Sequence, residues 1–256
     1  MADLITPFMP NLSIDEEGLA RLLERVVPHV QAVFLASPET GEGMGLDPAQ
    51  RAELLEKALI ALSPRAVPIF IWVTQETQEG TQHTLDALEK VRLDRGSPVN
   101  PVFWVDTPLY YHSNRGLPDH YRRLVDTSSM PFLLHNSPNL IKTVARPLKR
   151  HNIRTSILKE LADLAGIGGM IFSGTLERAH HYRRASRRVS AFRIYDGDES
   201  HFLDHPSMSG TVAPVQTSPQ RPGPKSPGLP CNYRPTRKSI PTTSDRSGRW
   251  ETTFEI

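Results

Sequence analysis

Val67-Pro68-Ile69-Phe70-Ile71-Trp72-Val73 is the stretch on which the fold turns. It is apolar throughout, rich in β-branched and aromatic residues, and far shorter than the roughly 20 residues a membrane helix needs. It therefore reads as a buried strand. Immediately before it, Asp47-Pro48 opens a helix that carries Leu54, Leu55, Ala58, Leu59 and Leu62, proline being suited to the first helical position. Before that helix, Ala32-Val33-Phe34-Leu35-Ala36 reads as a second buried strand. After it, residues 77–91 are helical, Val102-Phe103-Trp104-Val105 is a strand, 117–125 is helical and Phe132-Leu133-Leu134 is a strand. At the start, Leu4-Ile5-Thr6 is a short strand. A helix follows, with Ser13 as N-cap, Glu16 three residues later, and an apolar face of Leu19, Leu22, Leu23, Val26 and Val27.

With a further strand at 153–158, strand starts fall near 32, 67, 101, 131 and 153. Alternation of strand and helix at this spacing implies a parallel sheet. Two architectures fit, an open doubly wound sheet and a closed (β/α)8 TIM barrel. No Gly-x-Gly-x-x-Gly follows the first strand, which removes the main support for a dinucleotide fold. Beyond Lys159 the rhythm blurs. A short strand at 170–172, a basic helix at 176–188, a strand at 192–195 and a weaker one at 209–213 are expected.

The chain has 256 residues, 23 prolines, one cysteine and a formal net charge of +2. Charge and proline are unevenly spread. Residues 217–256 hold seven Lys/Arg, three acids and seven of the prolines, so this tail is +4 and the 1–216 body −2. The tail has no hydrophobic period and reads as disordered. The basic balance thus says nothing about partners of the body, and no nucleic-acid or membrane partner is expected. Lone Cys231 excludes a disulfide framework or thiolate cluster. With no basic flank ahead of an apolar core at the start, the expected location is cytoplasmic.

Polar residues cluster just past the strands, where barrel enzymes carry their chemistry. Ser37-Pro38-Glu39-Thr40-Gly41-Glu42 follows one strand, Asp106-Thr107-Pro108-Leu109-Tyr110-Tyr111 another, His135-Asn136-Ser137-Pro138 a third, and Gly197-Asp198-Glu199 a later one. Lys159 follows the run ending in Ile157-Leu158. Taken alone, it suits a surface lysine at a helix start. Desolvated in a barrel mouth, the same amine would lose its charge and could attack a carbonyl to form an imine.

In this order the segments resemble the dihydrodipicolinate synthase and N-acetylneuraminate lyase family of Schiff-base aldolases, from about Leu4 to Gln216. Thr6-Pro7-Phe8 is similar to the family's opening. Glu39-Thr40-Gly41-Glu42 resembles its carboxylate-holding loop, Thr107-Pro108-Leu109-Tyr110-Tyr111 its Pro-Tyr-Tyr segment, and His135-Asn136-Ser137-Pro138 its Tyr-Asn-x-Pro motif. Residues 152–160 are similar to the strand bearing the imine lysine, and Gly197-Asp198-Glu199 to the Gly-Asp-Asp/Glu turn. The resemblance implies a (β/α)8 barrel, usually oligomeric (dimer or tetramer), acting as a carbon–carbon lyase or aldolase on pyruvate or a related 2-oxo acid. The imine would need no metal or organic cofactor. Lys159, His135 and Tyr111 would be catalytic. Thr40, Glu39, Gly41, Tyr110, Asn136, Gly197 and Asp198 would bind substrate.

There are departures from the pattern. His135 stands where the family has a tyrosine, Glu39 where it has a threonine, and Leu140 near the place of an arginine. The span from Lys159 to Gly197 is about a dozen residues too long, and the last helices of the family are missing or replaced. A catalytically silent relative on the same barrel is the alternative. A metal-dependent hydrolase built on His201 and His205 comes third, since no third ligand stands at a known metal spacing.

Overall fold

The computed structural model describes residues 1–63, 65–95, 100–144, 150–204 and 208–215. The strands are β1 (Ala2–Asp3), β2 (Val33–Leu35), β3 (Ile69–Trp72), β4 (Val102–Asp106), β5 (Phe132–Asn136), β6 (Ile167–Phe172), β7 (Arg193–Asp196), β8 (Gly210–Thr211) and β9 (Ala213–Pro214). The helices are α1 (Glu16–Val26), α2 (Pro48–Leu62), α3 (Gln78–Asp94), α4 (Pro108–Tyr111), α5 (Leu117–Thr127), α6 (Pro138–Thr143), α7 (Thr155–Ala162), α8 (Leu176–Ser186) and α9 (Glu199–Asp204).

All neighbouring strands pair in parallel, in the order β8-β7-β6-β5-β4-β3-β2-β1-β9. The two ends of this order belong to one stretch of chain. β8 and β9 are separated only by Val212, whose amide donates to the Asp196 carbonyl at 2.8 Å, while the Ala213 amide donates to the Met1 carbonyl at 3.1 Å. Residues 210–214 therefore act as an eighth stave that pairs with β7 on one side and β1 on the other, and the sheet closes into a barrel.

Alternation along each strand separates two cores. Phe34, Phe70, Trp72, Phe103, Val105, Leu133, Ile171 and Val212 fill the barrel interior. Val33, Leu35, Ile69, Ile71, Trp104, Leu134 and Met170 face the helices, where Leu19, Leu54, Leu88, Leu124 and Leu158 cover them.

Several helix starts follow directly from sequence chemistry. At α2, Asp47 accepts from the Gln50 amide at 2.8 Å and Gln50 answers at the Asp47 amide at 3.0 Å, a complete capping box ahead of Pro48. α1 is capped by Asp15, not Ser13, its carboxylate accepting from the Gly18 amide at 2.9 Å. The first strand is Ala2–Asp3, two residues ahead of its expected place.

The largest correction concerns residues 153–158. They form no strand. From Thr155 they belong to α7, whose buried residues Leu158, Leu161 and Ala162 fall at helical spacing. The sixth strand is Ile167–Phe172, within the stretch that looked like an insertion. Its second half is the short strand expected at 170–172; Gly168 and Gly169 hid its start, since glycine is depleted in strands. At Gly169 a Cβ would collide with the Arg193 backbone on β7, so only glycine allows that pairing. The tail at 217–256, Cys231 and His205 lie outside the described residues.

Candidate functional site

The carboxyl ends of the strands form a mouth whose loops are held by short-range chemistry. β2 is followed by Ala36, which adopts φ 51°, a left-handed conformation costing roughly 1–2 kcal/mol for a residue with a Cβ. The chain then folds back, and the Ser37 hydroxyl accepts from the amides of Thr40 at 3.1 Å and Gly41 at 2.9 Å. Thr6 fastens this loop to β1: its hydroxyl donates to the Gly41 carbonyl at 2.8 Å and its amide to the Glu42 carboxylate at 2.7 Å. Arg51 fastens it to β3. It is 1% exposed and donates to the carbonyls of Gly43, Trp72 and Thr74, with its guanidinium 4.8 Å from the Trp72 ring. Burial pulls Arg51 down to about 10, which leaves it charged at neutral pH.

Inside the mouth, the Trp72 indole N–H donates to the Thr107 hydroxyl at 2.8 Å, and that oxygen lies 2.8 Å from Nδ1 of His135. Indole can only donate, so the arrangement that satisfies all three groups has Thr107 donating to Nδ1 and the imidazole proton on Nε2. Complete burial lowers His135 to about 4, so the ring is neutral at physiological pH.

On β6 the residue paired with His135 is Ile171, which also pairs with Tyr195 of β7. Ile171 is 1% exposed and packs with Trp72 and Leu133 in the interior cluster. The sixth strand thus carries an aliphatic side chain where the resemblance leads one to expect the imine lysine. Lys159 is on α7, a helix on the outer layer of the barrel, with an exposed side chain. It does not enter the mouth. Among the described residues every lysine (Lys57, Lys90, Lys142, Lys159) is on a helix, and none is on a barrel strand.

The other expected site residues divide. Tyr111 is buried behind β4: its hydroxyl donates to Asp106 at 2.8 Å and lies 3.0 Å from Nε2 of His120. Asp106 also accepts from Tyr121 at 2.7 Å and Thr74 at 2.6 Å. Burial raises Asp106 and Tyr111, and lowers His120 to about 4 with help from His112 and Arg123. Tyr111 and His135 share no hydrogen bond in this arrangement. Tyr110 packs edge-on against Trp72. Asn136 faces away from the mouth and is spent on backbone: its amide donates to the His151 carbonyl at 2.9 Å and its carbonyl accepts from the Ile153 amide at 2.9 Å. Glu39 is at the rim, accepting from the Ser137 hydroxyl at 3.1 Å. Gly197 passes close to Ser173, where a side chain would collide. Asp198 caps the start of α9, accepting from the Ser200 amide at 3.0 Å and its hydroxyl at 2.6 Å.

Asp3 is a mouth residue that the sequence reading missed. It sits at the end of β1, 7% exposed, with Oδ1 buried and without a hydrogen-bond partner. Burial raises its carboxyl to about 6. The Ser37 and Thr40 hydroxyls oppose the rise, and Glu39 and Glu42 add to it. Thr40, expected to meet a substrate carboxylate, lies instead against the protein's own. The available signal was an acid at an interior-facing position of an apolar run.

Among the described residues no group of three or more His, Cys, Asp or Glu could hold a metal ion, which leaves the metal-hydrolase arrangement without a site there. None of the described helices is long and apolar enough to cross a membrane.

Comparison with known proteins bears directly on ancestry. The model of the "Dihydrodipicolinate synthetase family" matches residues 1–216. The chain belongs to this family. It is 27% identical over 199 residues to a 4-hydroxy-tetrahydrodipicolinate synthase of Alkalilimnicola ehrlichii, covering 77% of this chain and 63% of that one. A second such synthase, from Protochlamydia amoebophila, is 26% identical over 209 residues, covering 81% and 65%. The chain thus spans less than two thirds of the length of these relatives. Among solved structures, a monomeric dihydrodipicolinate synthase variant superposes with a TM-score of 0.67 at 19% identity, covering 83% of this chain and 68% of that one. A Sulfolobus solfataricus 2-keto-3-deoxygluconate aldolase variant gives 0.62 at 19%, covering 82% and 66%. A prophage protein of the same family from E. coli K12, solved in complex with pyruvate, gives 0.67 at 16%, covering 82% and 69%. These likenesses establish the family and the barrel.

Proposed function

We propose that this chain is a family member that has lost the lysine-imine reaction and keeps the barrel as a binding scaffold. The observation that carries the reading is Ile171 at the interior end of β6, beside His135, with no lysine on any described strand. An aliphatic side chain has no lone pair with which to attack a carbonyl.

The mouth supports the same reading from its charge. A 2-oxo acid would bring its carboxylate towards Asp3 and Glu39, and like charges in a low-dielectric pocket repel. The buried, unpartnered Asp3 Oδ1 favours a ligand that offers a hydrogen-bond donor, and the Nε2–H of the neutral His135 one that offers an acceptor, a pairing that a polyol or a neutral amine meets. His135, Thr107 and Trp72 would orient such a ligand.

The test is calorimetric titration with pyruvate and with small amines and polyols. Binding of an amine or polyol that is weakened by Asp3→Asn supports the reading. Pyruvate bound in the mouth, with affinity unchanged in Asp3→Asn, contradicts it.

A second reading, a Schiff-base lyase acting on pyruvate or a related 2-oxo acid, is favoured by family membership alone. It needs an amine in the mouth. Lys149, Lys225 and Lys238 lie outside the described residues, and the two readings separate on whether any lysine is trapped as a reduced imine.

A further inference from the structure

Lys159 has a different setting from the one its sequence neighbourhood suggested. It lines a groove of about 420 Å³ between α7 and α8, together with Thr155, Ser156, Arg178, His181 and Arg184. Thr155 and Lys159 are one turn apart on α7. Arg178, His181 and Arg184 recur at three-residue steps on α8, so the two helices present facing stripes. The lining holds three permanent cations and no carboxylate.

We propose that this groove binds a phosphate-bearing small molecule. Arg178 supplies its fixed base. One terminal nitrogen donates to the Ile153 carbonyl at 2.8 Å, the guanidinium stacks 5.0 Å from the Tyr182 ring, and Nε is buried without a partner. No carboxylate pairs with Lys159, Arg178 or Arg184 among the described residues. Three cations held together without an acid repel one another, and a dianion with three terminal oxygens relieves that repulsion. Arginine forks and a lysine point charge are the donors suited to it. Thr155 and Ser156 add hydroxyls at the start of α7, whose N-cap Arg154 makes no side-chain capping bond. The groove volume suits a sugar or polyol phosphate more than a strand of nucleic acid.

Calorimetry on the full chain tests this with inorganic phosphate, glycerol 3-phosphate, glycerol and a single-stranded RNA oligomer. The expected result is binding of both phosphates and not of glycerol, glycerol 3-phosphate binding more tightly if the organic moiety is also read. Lys159→Gln with Arg184→Gln should weaken phosphate binding about tenfold or more, through lost charge-assisted hydrogen bonds. The control pair Arg183→Gln with Arg187→Gln removes the same charge from α8 and its C-cap, outside the groove, and should change it less than about twofold. Equal weakening by both pairs, no phosphate binding, or RNA binding that both pairs reduce alike would each overturn the proposal.

Discussion

The mouth of the barrel and the α7–α8 groove carry opposite chemistry. The mouth gathers carboxylates around Asp3 and a neutral His135, and its floor is aliphatic at Ile171. The groove, on the outer helices next to β6, gathers Lys159, Arg178 and Arg184. A reader of the sequence who assigns Lys159 to a strand moves the groove's charge into the mouth and obtains an aldolase. The fold assigns that lysine to a helix, and the sixth strand arrives without one. Ancestry is therefore preserved in the scaffold, while the atom that defines the ancestral reaction is absent from the described strands.

The sharpest contrast between the regions is in stability. Trp72→Ala leaves a cavity in the interior, removes the indole donor to the Thr107 hydroxyl and removes the ring under Arg51, so it should cost about 3–5 kcal/mol by urea unfolding. Lost stability below about 1 kcal/mol would mean the interior is not close-packed.

The two buried titrating groups of the mouth should pull in opposite directions with pH. Asp3 is raised from 3.8 to about 6, so its contribution is fully present below pH 3.8 and is lost as pH rises through 6. Asp3→Asn should then raise stability at pH 8 by up to about 3 kcal/mol and change little at pH 4. His135 is lowered from 6.5 to about 4, so its contribution is present above 6.5 and is lost as pH falls through 4. His135→Gln should shrink that acid limb by about 2–3 kcal/mol, leaving the part due to His120. Unfolding midpoints across pH 4 to 8 read both; unchanged profiles would remove the account of a dry mouth. On the groove side, Lys159→Gln should shift stability by no more than about 0.5 kcal/mol, as for an exposed helical residue without partners. A loss several times larger would place Lys159 in the packed interior after all.

Much of the barrel was legible in the chain. Runs such as Ile69–Trp72 and Val102–Asp106 are buried on both faces and read as continuous apolar strands. Asp47-Pro48 announced α2 through its capping chemistry. The sixth βα unit was legible only in part, as the strand at 170–172 and the helix after it, for two physical reasons. Leu158, Leu161 and Ala162 are buried at a helical period, and buried Ile153 ahead of the helix makes the run look like a strand in a short window. Gly169, which β7 approaches too closely for a side chain, and Gly168 beside it erase the apolar signal at the start of β6. In the mouth, the sequence does not show which way each side chain points. His135 and Asn136 are adjacent, yet the pleat turns His135 inward and Asn136 outward to the backbone of 151–153. Asp3 was missed because the first strand begins earlier than its apolar core suggests.

The central claim, that this family barrel forms no lysine imine, is tested most directly by incubating the full chain with pyruvate and borohydride and mapping modified peptides by mass spectrometry. The account predicts no reduced pyruvyl adduct on any lysine, with an active family synthase as the positive control. A stoichiometric adduct on Lys159, or on any other lysine, would contradict it.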